Sequence, residues 1–144
     1  MTTTHHHQAR HGAALTAAAE AHALQTHWYR AIAFFFLDPC EATYTQVACM
    51  VATAREAMRM QGVRDFDTQI RSIQRALDVI FDRWEATNLV VALQAEKDTI
   101  RAAAEHIAQA LAAASSRSLQ AAHDIAKAEL SVQGINVDDL PSLR

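Results

Sequence analysis

Between Val63 and Gln133 the chain contains neither proline nor glycine, and its 144 residues hold only two prolines and three glycines. A β-rich fold of this length needs many tight turns, and those draw on glycine, proline and asparagine. Alanine is abundant and β-branched residues are thin, which favours helix over sheet. The expected class is therefore all-α: a compact bundle of four or five mostly antiparallel helices. Apolar residues make up 51% of the chain and charged residues 20%. That is enough apolar material for one domain with a core, and too much for a disordered chain.

The organisation follows from breaks and stripes. Residues 1–12 are polar and His-rich and are expected to be a flexible tail; His5, His6 and His7 carry at most adventitious metal binding. The bundle is placed at 13–134 and a C-terminal tail at 135–144. Helix A is expected over 13–37, and its second half is apolar on most sides, with Trp28, Tyr29, Ile32 and Phe34, Phe35 and Phe36. The segment Leu37-Asp38-Pro39-Cys40-Glu41-Ala42 matches a helix start. Asp38 fits the N-cap, Pro39 the first turn and Glu41 the capping-box position. Helix B follows to Gln61, with Tyr44, Val47, Val51, Ala54 and Met58 on one stripe and Gly62 as its left-handed terminator.

Helix C starts at Asp65 or Asp67 and shows the cleanest seam: Phe66, Ile70, Ile73, Leu77, Ile80 and Trp84. The register then slips at Ala86-Thr87-Asn88. Helix D is expected over 89–114, with Leu89, Leu93, Ile100, Ile107 and Leu111 on a second seam; one long continuous C-terminal helix is the rival. Ser115, Ser116 and Ser118 weaken the helix, after which Leu119, Ala122, Ile125 and Leu130 continue an apolar face until Gly134. The tail with Pro141 reads as a packed strap or a linear motif for a partner.

Chemistry finds little footing. Two cysteines nine residues apart on a helix point to opposite faces, so Cys40 and Cys49 neither pair nor share a metal, and a reducing setting fits. Cys40 sits between Asp38 and Glu41 with no histidine nearby, so it reads as part of a cap and not as a nucleophile. Histidine spacings for zinc or di-iron sites are absent, as are clustered glycines for phosphate binding. Arg71, Arg75, Asp78 and Asp82 share one row of helix C and read as a solvated ridge. No catalytic, cofactor or metal residues are assigned, and the chain is expected not to be an enzyme. No signal peptide or membrane span is visible, so the default setting is cytoplasmic, without membrane contact. The excess of arginine over lysine fits a bacterial or phage source.

The remaining excess is aromatic and arginine-rich. Trp28, Tyr29 and Phe34 offer bulk beyond one helix face, and Arg55, Arg59, Arg64, Arg71 and Arg75 surround the B–C turn. These eight residues are the expected partner-binding set. The expected function is a non-enzymatic protein–protein module, such as an adaptor, chaperone, immunity protein or phage-type inhibitor, binding another protein or a second copy of itself. The alternative is a nucleic-acid-associated regulator using the arginine corner, although the net charge of −3 argues against a generally basic surface.

Overall fold

The computed structural model describes residues 2–141 and 143, with side chains from Thr16 onward. It is an all-helical bundle of five helices: α1 (Thr2–Leu37), α2 (Glu41–Gln61), α3 (Asp67–Thr87), α4 (Gln94–Ala113) and α5 (Ser116–Val132). There is no strand among the described residues. Helix α1 begins at Thr2 and not at residue 13. The expectations for His5, His6 and His7 concern side chains outside the described set.

Helix α2 is the hub and packs against all four other helices, while α4 also packs against α1 and α3. Every residue of 44–58 except Gln46 and Arg55 is buried. The stripe read from sequence is therefore only one side of a helix that is enclosed nearly all round. Alanine, threonine and cysteine on its other faces let neighbouring rods approach closely. The α3 seam behaves as expected, with Ile70, Ile73, Leu77 and Ile80 buried.

The helix ends explain why the chain turns. Asp38 N–H still bonds back to Phe34 within the last turn of α1, and Tyr44 N–H bonds to the Cys40 carbonyl. The cap of α2 is thus Cys40, two residues later than the Asp38 expected, and Thr43 replaces Glu41 as the reciprocal partner: its Oγ1 accepts from Cys40 N–H at 3.0 Å. At the other end Gly62 adopts φ 69°, and Val63 N–H reaches the Met58 carbonyl at 2.9 Å, closing a Schellman motif. Gly134 (φ 84°) repeats the device after α5 and delivers Ile135 into the core.

Helices C and D are separate. Asn88 takes φ 60°, and residues 89–93 run non-helically before α4 starts at Gln94. Leu89 and Leu93 therefore leave the seam assigned to them and stand exposed. Arg83 stitches this crossing: it donates to the Val91 carbonyl at 2.8 Å and grips the Glu96 carboxylate at 2.8 and 2.6 Å. Glu96 in turn accepts from Leu93 N–H at 2.9 Å, completing the α4 cap. The guanidinium beside it holds the Glu96 carboxyl below its ordinary range. The α4–α5 break is clamped from α2. The Gln61 amide donates to the Ala113 carbonyl at 3.2 Å and accepts from Ser115 N–H at 2.9 Å, while Ser115 caps α5 through Ser118 N–H. Backbone groups released by the break are thereby satisfied. Ile125, assigned to the α5 core face, is 39% exposed; His123 is buried on that helix instead. The tail is a packed strap: Val137, Leu140 and Leu143 lie against the core beyond buried Ile135.

Candidate interaction surface

Trp28 sits in the α1–α4 interface with no exposed surface, and its indole Nε1–H donates to the Ala104 carbonyl at 2.8 Å. That corrects its assignment to the partner-binding set. An indole with a satisfied N–H inside an interface between two helices of one chain is a core anchor. Gln25 makes a parallel contact to the Ala108 carbonyl at 3.4 Å. Phe36 packs under Arg101 and Lys97, with the guanidinium carbon 4.8 Å from the ring centre. These contacts run in opposite chain directions, so α1 and α4 are antiparallel. Phe35 continues inward to Tyr44, which meets Trp84 at 5.7 Å; Phe81 and Trp84 stand edge to face at the same spacing. Tyr44 is fixed by its hydroxyl, which donates to the Leu77 carbonyl at 3.0 Å, and burial with Asp78 and Asp82 nearby raises its pKa.

The other two aromatic candidates face outward. Tyr29 is 47% exposed, Phe34 52% and Leu37 82%. Together with Arg30 and Ala33 they occupy the helix arc opposite Trp28 and Phe35. The Phe36–Arg101 contact brings the first turns of α4 beside the last turns of α1. The segment leading into α4, with Leu89 and Leu93 exposed by half or more, therefore lies at the same end of the bundle. Residues 89–93 read Leu-Val-Val-Ala-Leu with no polar residue among them. That was the available sign that they were not one face of an amphipathic helix.

The arginines divide. Glu56 is a buried carboxylate of α2 held between two of them: Arg59 donates from Nε at 2.9 Å, and Arg55 pairs with it at 3.3 Å. Arg55 also bonds Glu129 of α5. A buried carboxylate needs such neutralisation, so Arg55 and Arg59 tie α2 internally and to α5. Arg64, Arg71 and Arg75 are exposed, and none forms an ion pair among the described residues. Asp78 and Asp82 are exposed beside them on α3, as a solvated ridge should be. Partial burial, then Asp82 and Glu129, push the Asp78 carboxyl above its ordinary value. On α4, Arg101 pairs with Asp98 at 3.4 Å and not with Glu105, which stands one helical turn further on.

The polar groups with chemical potential are scattered. Cys40 is half-buried in its cap. Cys49 lies inside α2, where burial pushes its thiol up to about 11. Burial and Lys127 lower the pKa of His123. His27 meets Gln46 at 3.1 Å, and His106 buries an unbonded Nδ1. Among the described residues no three His, Cys, Asp or Glu side chains gather as a metal site, and no helix is long and apolar enough to cross a membrane. Compared with protein-family models, curated proteins and solved structures, the chain matches none.

Proposed function

We propose that the chain is a non-enzymatic protein-binding module of the cytoplasm, acting as an adaptor, chaperone or inhibitor, whose contact surface is the apolar end formed by the last turns of α1 and the α3–α4 crossing. The observation that carries this reading is the exposure of four large apolar side chains at that end of the bundle: Phe34 and Leu37 on α1, Leu89 and Leu93 on the crossing. Exposed apolar side chains grouped at one place mark docking surfaces more often than solvated ones scattered singly. Phe35, Tyr44, Phe81 and Trp84 pack ring against ring where α1 and α3 end. A nucleic-acid role has less support, because Arg55 and Arg59 are engaged with carboxylates.

The test is affinity capture from the source cell with the wild-type chain and with a Phe34→Asp/Leu37→Asp variant. A protein retained by the first and lost by the second, with both variants equally helical, is the expected result. Equal retention, or no retained protein, would overturn the reading.

A further inference from the structure

Apolar contact alone holds the C-terminal strap to the helices it crosses. Residues 135–141 and 143 are neither helix nor strand. Ile135 is buried, Val137, Leu140 and Leu143 are half-buried against the core, and Asn136, Asp138 and Asp139 are exposed. The hydrogen bonds of the strap stay local: Ile135 N–H donates to the Leu130 carbonyl at 3.1 Å, Asp138 N–H to Asn136 Oδ1 at 2.9 Å and Leu140 N–H to the Val137 carbonyl at 3.2 Å. Among the described residues no hydrogen bond or ion pair joins it to α1, α2, α3 or α4. The α3–α4 crossing and the α4–α5 break differ, because Arg83 and Gln61 bond across to them. The path of the strap follows a gap in the bundle. Helix α5 packs against α2, and α1 against α2 and α4, but α1 and α5 make no extended interface with each other. Leu140 and Pro141 border a hollow of about 330 Å³ with residues 41–46 of α2. Pro141 and Leu143 border a second, of about 690 Å³, with residues 17–27 of α1 and Leu119 of α5. The strap thus passes from the start of α2 into the cleft between α1 and α5.

We propose that the α1–α5 cleft is a docking site for an extended apolar peptide segment, and that the strap is its autoinhibitory occupant, displaced when such a segment binds. The occupant seen in the cleft defines the chemistry of the partner. It is an extended stretch with apolar side chains spaced as Ile135, Val137, Leu140 and Leu143 are, and with polar residues between them turned to solvent. Neither a charge nor a main-chain ladder is required, since the strap itself uses neither to reach α1 or α2. Few buried apolar side chains and no polar bond to the helices beneath make release of the strap less costly than unfolding the bundle. A tethered segment competes at an effective concentration on the order of millimolar. A free segment of equal affinity is therefore shut out until the tethered one is weakened.

The test uses the full chain and a fluorescein-labelled synthetic peptide covering residues 134–144, read by fluorescence anisotropy. Val137→Asp/Leu140→Asp in the protein removes two apolar contacts of the strap and should free the cleft. The labelled peptide should then bind this variant at least about tenfold more tightly than it binds the wild-type chain. A peptide carrying the same two substitutions should bind neither. Circular dichroism should show unchanged helicity in the variant, because the strap contributes no helix. Equal affinity for variant and wild type, no binding to the variant, or equal binding of the substituted peptide would each overturn the proposal. So would a variant that loses its helical signal, since the strap would then be part of the core and not a releasable occupant. Phe34, Leu37, Leu89 and Leu93 are unchanged in these variants, so the outcome is independent of the docking surface proposed above.

Discussion

The two halves of α1 are one continuous helix held by different physics. In the C-terminal half Trp28 and Phe35 have no exposed surface and lock into α4 and α2. In the N-terminal half residues 16–20 are all exposed. Packing of large side chains fixes the first; alanine's backbone preference sustains the second. A continuous helix is therefore no sign of uniform stability, and local opening should begin where burial is least.

The sharpest way to break this contrast is Trp28→Ala. Removing a fully buried indole should cost about 3–5 kcal/mol, read as a large drop in the denaturation midpoint. A loss below about 1 kcal/mol would mean the anchored half is not anchored. Gly62→Ala probes a helix end between the two extremes. No atom lies within 4 Å of the added methyl group, so the cost comes only from φ 69° and should be about 1–2 kcal/mol in chemical denaturation. Ser115→Ala removes one cap bond at the α4–α5 break and should cost about 1 kcal/mol by the same assay.

The buried His123 of α5 adds a pH dependence to the stability of the bundle. Its folded pKa lies below the ordinary 6.5, so the unfolded chain binds the proton more readily. That contribution to stability is intact above pH 6.5 and is lost as pH falls from there through the folded value. Denaturation midpoints measured from pH 7.5 down to 5 should decline in wild type and decline less in His123→Gln. The smallest expected effect is in the exposed stretch at residues 16–20. Ala18→Gly should destabilise the local helix by about 1 kcal/mol and leave the denaturation midpoint of the bundle unchanged. A shifted midpoint there would show that this exposed stretch is coupled to the core after all.

Much of this was legible from residue types alone. Gly62, Asn88, Ser115 and Gly134 each sit where a helix ends, because their conformational freedom or side-chain hydrogen bonding acts within a few residues. The α3 seam was legible for the same reason: large apolar residues on one face and charges on the other leave one way to bury it. The α2 cap was misplaced because Asp38 and Thr43 compete for one helix start, and the continuing last turn of α1 decides between them. Of the candidate surface, Tyr29 and Phe34 were visible as excess aromatics. Leu37, Leu89 and Leu93 were not, because each also fits a buried pattern.

What the sequence determined by itself is the helical class, the boundaries of most rods and the single amphipathic face of α3. Those depend on hydrogen bonds and caps closed within one or two turns. Only the tertiary structure decided that α2 is enclosed on nearly every side, that Trp28 points inward while Phe34 points outward, and that Arg55 and Arg59 serve Glu56 and Glu129 rather than an open rim. Those choices are settled by competition among five helices for a limited buried volume, and residues far apart in the chain set its outcome together.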